Sequence, residues 1–421
     1  MAVTVVGSSS GGVVTIGGSG TVNVALLGLV ADAINQSFAA GGYVDAAGSV
    51  IPSAPGTGSD AVGVSVAGTV TVPAGYKTLL YSGTDAALTI QAAAGLDVLS
   101  GTGGITYYGA PDPNGTGGIA SVVADGGRNL VAFDAGSNYV AALGGGADTV
   151  FANGSGLVDV GSGTNLAFVS GGSNTVFASG ASDTIVAGSG AATIGSSGAK
   201  ATIFTGSGPS FVAASGTADT IVAGSGLTTI FGGDQSLVFF NNSAFPIFVA
   251  PVDGAATVVG GTNPGIVFGG PGSNVTYFNA PGGAQGVLIA GSGSETLNAA
   301  GTTIGNTMYS GSGRDLMVGG AAADVIVGAT GSGTLTGGGG RDLFTFIKGG
   351  AGGSYVISDF AAGTDGVVLS GYGKPEVATL LAGAVTAAGS TSVALSDGTR
   401  ITFTNIGALT TDAFLTNNTL S

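Results

Sequence analysis

The stretch "DTIVAGSGAATI", Asp183 to Ile194, returns almost unchanged as "DTIVAGSGLTTI", Asp219 to Ile230. Aligning the copies uncovers a shorter period: Val176, Ile185, Ile194, Ile203, Val212, Ile221, Ile230, Phe239 and Phe248 follow one another at intervals of nine without a slip. A threonine precedes most of them, and the unit reads x-T-I-x-x-G-S-G-x. Similar units with small slips run upstream through Val122, Val131, Val140 and Val150. Downstream they run through Val258, Val267, Leu288, Leu297, Met308, Met317, Ile326, Leu335 and Phe344.

A short β-branched run followed by glycines reads as a brief strand and a tight turn. Helix is excluded by the glycine density, at about 1 kcal/mol per glycine relative to alanine. A fixed nine-residue period signals a parallel β-roll or β-solenoid in which each nine is half a coil. The "GSG" at Gly188, Gly206 and Gly224 recurs every second unit, and Ser179, Ser197 and Ser215 hold the equivalent place in the other half-coils. Strand alternation points the central Val, Ile or Phe inward and both its neighbours outward. The glycines are expected to supply positive φ in the turns. Some 15 coils at about 4.8 Å apiece would stack over roughly 70 Å, with open ends that need caps.

Composition fits such a stack. Of 421 residues, 85 are glycine and only 7% are charged, while 44% are hydrophobic, so there is apolar surface to bury. The balance of 8 Lys+Arg against 23 Asp+Glu, a net charge of -15, repels phosphate backbones and argues against nucleic-acid binding. Without cysteine there is no disulfide framework and no thiolate metal site. Without histidine, zinc-protease motifs and every Ser-His arrangement are excluded, and the G-x-S-x-G match around Ser9 is a product of Gly/Ser richness. The chain therefore reads as no enzyme. The apolar run Val24 to Val30 is too short for a membrane span, and the N-terminus lacks a basic export signal.

The ends break the rhythm and read as caps, which gives three segments: 1–75, 76–346 and 347–421. Val3 to Ile16 suggests two strands around a glycine turn. Leu26, Leu27, Val30, Ala33, Ile34 and Phe38 then fall on one helical stripe between Asn23 and Gly41. The expected fold is all-β: a parallel β-roll or β-solenoid of nine-residue half-coils, a small N-terminal cap with one helix, and a C-terminal β cap.

Residues 310–345 read "SGSGRDLMV", "GGAAADVIV", "GATGSGTLT", "GGGGRDLFT", and the last matches G-G-x-G-x-D-x-U-x at every defined position. This resembles the RTX (repeats-in-toxin) calcium β-roll family, strongly here and weakly through the middle of the chain. "YVISDFAAGTDGVVLS", with Asp359, Phe360, Gly363, Asp365 and Leu369, is similar to the segment that closes such rolls, and the tail is similar to a type I secretion region. The resemblance implies Ca²⁺ shared between sixth-position carboxylates of stacked half-coils, and export by type I secretion machinery. Carried over, the sixth positions include Asp148, Asp183, Asp219, Asp315, Asp324 and Asp342, with Asn174, Asn274, Asn306 and Glu295 as weaker equivalents. Asp324 and Asp342 form the one Asp pair two units apart, and Asn306 adds a second site with Asp324. For Asp183 and Asp219, with Ala201 between them, the alternative is a solvated turn carboxylate.

Between Asn129 and Gly313 the one basic residue is Lys200. Soluble monomers carry charge over roughly 25–35% of their surface, so this surface suits copies that pack on one another. The expectation is a secreted structural protein that forms a homo-oligomer or polymer, as filament, S-layer or biofilm matrix, with Ca²⁺ ordering its C-terminal coils. The alternative is an adhesin stalk or an ice- or crystal-binding solenoid. The expected assembly surface is the threonine column Thr184, Thr202, Thr220 beside the apolar column Val186, Phe204, Val222.

Overall fold

The computed structural model describes residues 2–6, 13–17, 43–46, 50–56, 60–84, 87–111, 118–233, 236–350 and 352–416. The chain is all-β, a parallel β-solenoid, and it divides into two compact units, Met1–Val212 and Ala213–Ser421. The helix expected between Asn23 and Gly41 lies outside the described residues.

In the first unit Ala2–Val6 and Val13–Gly17 pair antiparallel, as the hairpin reading of Val3 to Ile16 requires. Parallel stacking begins with Tyr43–Ala46 on Ala61–Val64 and passes to Thr78–Tyr81 and Asp97–Ser100. From Leu166 onward the coils are regular. Ala167 faces Ile185 and Ile185 faces Ile203 on one sheet, while Val176 faces Ile194 on the other. Consecutive strands thus belong to different sheets, and each pairs one whole coil later.

The nine-residue core reading holds at Val176, Ile185, Ile194, Ile203 and Val212, all buried, and in the second unit from Ile221 through Phe344. Each such side chain contributes about 1.5–3 kcal/mol when withdrawn from water. Val140 is a correction. The register shifts between Phe133 and Ser137, which turns Tyr139 and Ala141 inward and leaves Val140 half-buried.

The glycine reading also needs correcting in the regular coils. Gly188, Gly198 and Gly206 are not among the glycines with positive φ. Their role is close approach: a Cβ on Gly198 would stand 1.7 Å from the carbonyl oxygen of Gly180, and one on Gly206 the same distance from that of Gly188. Stacked turns therefore touch through backbone, and the recurring GSG is the space for the turn beneath. Positive φ does occur at Gly338 and Gly340, in the "GGGG" turn.

In the second unit the stack ends with Arg400–Phe403 on Ser354–Ile357 and Phe414–Thr416 on Gly366–Ser370. Ser390–Ala394 adds antiparallel to Arg400–Phe403 and ends the parallel order. Phe344, Phe360, Phe403 and Phe414 form a chain of ring contacts, with centroids 6.2, 5.1 and 6.4 Å apart, that fills this end of the core. A short helix, Lys374–Ala382, carries Pro375 in its first turn and buries Val377 and Leu380. The C-terminal β cap therefore contains a helix that the repeat pattern did not reveal.

Candidate functional sites: buried carboxylate columns and apolar faces

Alternation about Ile185 places Asp183 on the same inward side, two residues earlier. Asp183 and Asp219 are 2% and 1% exposed, so the solvated-turn alternative is wrong for both. In the first unit the buried column reads Asn129, Asp148, Asn165, Asp183. The Asn129 backbone N–H and Nδ2 both donate to Asp148 Oδ1, at 3.0 and 2.8 Å. The Asp148 N–H donates to Asn165 Oδ1 at 3.0 Å, and Asn165 in turn donates its N–H and Nδ2 to Asp183 Oδ1. Asp183 Oδ2 accepts the Gly180 N–H at 2.8 Å. At the next rung Ala201 has no side-chain acceptor, and the Asp183 N–H goes to the Lys200 carbonyl.

The second unit carries two such columns. On one sheet Asn306, Asp324, Asp342 and Asp365 stack in register. Each accepts the backbone N–H of the rung before it: Gly286 to Asn306, Asn306 to Asp324, Asp324 to Asp342 and Asp342 to Asp365. Asp315 belongs to the other sheet, where its carboxylate accepts the Glu295 and Gly311 N–H groups at 3.2 and 2.8 Å. Asp219 lies in this unit too and accepts the Gly216 N–H at 3.1 Å.

Three buried carboxyl groups, Asp148, Asp342 and Glu295, are costly to ionise. Burial pushes Asp148 up to about 6 despite its bonds to Asn129. Burial, then the carboxylates of Asp365, Asp324 and Asp359, pushes Asp342 up to about 6. Glu295 is pushed up to about 7 by burial and then by Asp315. Among the described residues three carboxylate oxygens, Asp148 Oδ2, Glu295 Oε2 and Asp342 Oδ2, are buried without a hydrogen-bond partner.

The columns leave few carboxylate oxygens open to a cation. Ca²⁺ takes six to eight oxygens, and among the described residues no three acidic groups converge to hold a metal ion. Both oxygens of Asp183, Asp315 and Asp324 already accept backbone N–H groups. Asp342 differs, with one unpartnered oxygen and three further carboxylates in its field. Asp359, whose oxygens accept the Gly337 and Gly338 N–H groups at 2.9 and 2.8 Å, ties the adjacent turn to that region.

The outer faces carry the expected assembly residues. In the first unit Thr184 faces Thr202 and Val186 faces Phe204, and the column continues outward from Val186 through Phe168 to Phe151. The Phe151 and Phe168 rings stack at 5.0 Å, and Phe151 and Phe204 are 43% and 39% exposed. The threonine column is mixed, running Thr149, Leu166, Thr184, Thr202. Thr220 and Val222 lie in the second unit and face Val238 and Phe240.

The fold and its columns define a parallel β-solenoid laced internally by Asn and Asp side chains. No family model and no curated protein sequence matches the chain. Among the described residues no helix is long and apolar enough to cross a membrane.

Proposed function

We propose that this chain is a secreted structural protein that polymerises through the uncharged outer faces of its solenoid, without catalytic activity. The observation that carries the reading is the Phe151, Phe168, Val186, Phe204 column, an outward apolar ridge with Phe151 and Phe204 exposed and Phe168 and Val186 half-buried. Contiguous exposed apolar surface of this kind marks a contact surface. The fold, a β-solenoid, suits a structural or adhesin-like role. Glu295 and Asp315 are 1% and 3% exposed, at the back of a cleft lined by Thr296, Arg314, Leu316 and Thr334.

Calcium enters the proposal at the C-terminal coils, where Asp342 and its neighbours would take a cation that offsets their mutual repulsion. Export by a type I route rests on the sequence resemblance of residues 355–421. Phe204→Lys tests the assembly reading. Its side chain points away from the core, so the fold should lose under about 1 kcal/mol, as for an ordinary surface change. In a packed contact the same lysine buries an unpaired charge at a cost of several kcal/mol. The variant should stay folded and cease to polymerise.

A further inference from the structure

We infer that the outer face of residues 227–309 in the second unit is a docking surface for the same face of a second copy of this chain. This rests on the self-assembly reading and names a contact that reading does not contain. Five rungs build the face. One outward column is Thr229, Ile247, Ile266, Val287, Thr307 and the next is Phe231, Val249, Phe268, Ile289, Tyr309, each aligned by parallel pairing. Exposed Leu227 and Phe245 widen it on one side. No charged residue occurs in 227–231, 245–249, 264–268, 285–289 or 305–309.

The other sheet of the same unit is a control built into the fold. There the column equivalent to Thr229, Ile247, Ile266, Val287, Thr307 reads Thr220, Val238, Thr257, Thr276, Thr296. Strand propensity alone would favour β-branched residues equally on both sheets. The next column there, Val222, Phe240, Val259, Phe278, Asn298, is largely apolar too, with Phe240 and Phe278 exposed, so the two faces differ in the first column, where hydroxyls on one are replaced by Ile and Val on the middle rungs of the other.

Size and pitch fit a second copy as the occupant. Five strands about 4.8 Å apart and three columns about 6.6 Å apart span about 24 by 20 Å, or roughly 500 Å². Two copies face to face would cover roughly 1,000 Å², the threshold for a specific contact. Rows of side chains repeat at the rung spacing, and a partner seats every row only if its own rows share that spacing. A second copy does so by identity, its sheet lying about 10 Å away as in a β-sandwich.

The chain has no cysteine, so one introduced thiol is the sole thiol. Ile266, half-buried on the middle rung, takes cysteine, with Phe268→Cys as a second variant should the first fold poorly. Val385→Cys, on the exposed Val385–Ala387 strand of the same unit, measures random collision. After mild oxidation, non-reducing electrophoresis should show disulfide dimers at Ile266 or Phe268 about tenfold or more above Val385, because docking holds the thiols at millimolar effective concentration. Yields equal to that of Val385, while Phe204→Cys dimerises, would overturn this contact and leave self-assembly standing. Equal yields at all positions from a chain that sediments as a monomer would overturn both.

Discussion

Asn165 donates its backbone N–H and its side-chain Nδ2 to one oxygen of Asp183, at 3.0 and 2.9 Å, across a gap of 18 residues. That bond pair joins one rung to the next from inside the coil, where no water competes. Removing Asp183 therefore strands three donors, the two of Asn165 and the Gly180 N–H. At about 1–3 kcal/mol per buried unsatisfied group, Asp183→Ala should ease local opening by about 3 kcal/mol or more. Hydrogen exchange would register it as lost protection of the Asn165 and Gly180 amides. Asp183→Asn keeps the Oδ1 acceptor and should restore protection at Asn165 alone.

Ile203 and Phe204 are adjacent and face opposite ways, one fully buried and one 39% exposed. Ile203→Ala should cost about 2–5 kcal/mol as a cavity in the core. Phe204→Ala should cost under about 1 kcal/mol. Equal losses in denaturant unfolding would mean that the register is off by one.

The buried acids set a pH dependence of known sign. Asp148 and Asp342 rise from 3.8 to about 6 and Glu295 from 4.5 to about 7, so the folded state binds more protons than the unfolded state across that range. Stability then falls as pH rises from about 4 through about 7. In calcium-free buffer the melting temperature should be higher at pH 5 than at pH 8. Glu295→Gln should flatten the upper part of the slope. A melting temperature that climbs between these pH values would contradict the burial of these groups.

Calcium should reverse that trend at the C-terminal coils, because a cation lowers the cost of ionising Asp342. Asp342→Ala should weaken Ca²⁺ binding in titration calorimetry, and Asp183→Ala should leave it unchanged. If the intact chain binds no Ca²⁺, the calcium part of the proposal is withdrawn.

Much of this was legible in the sequence because one residue in nine must fill the core, and nothing else can stand at Ile185, Ile194 or Ile203. The inward Asp column was legible too, since two residues before Ile185 is the same side of a strand, yet a turn-like "SD" suggests solvent. The partnership of Asp148 with Asn129 and Asn165 was hidden by slips that put its neighbours 19 and 17 residues away instead of 18. The bulge that turns Val140 outward has no local signal beyond "DAGSN". The C-terminal helix had one, Pro375 followed by alanine and leucine, but nine residues are too few for periodicity to stand out.

Self-assembly requires that the uncharged faces be covered by other copies of the chain. Electron micrographs of the purified protein in Ca²⁺, beside Phe204→Lys at the same concentration, test it most directly. Ordered polymers from the native chain and dispersed, folded particles from the variant are the predicted result. Dispersed particles from both, or identical polymers from both, would contradict it.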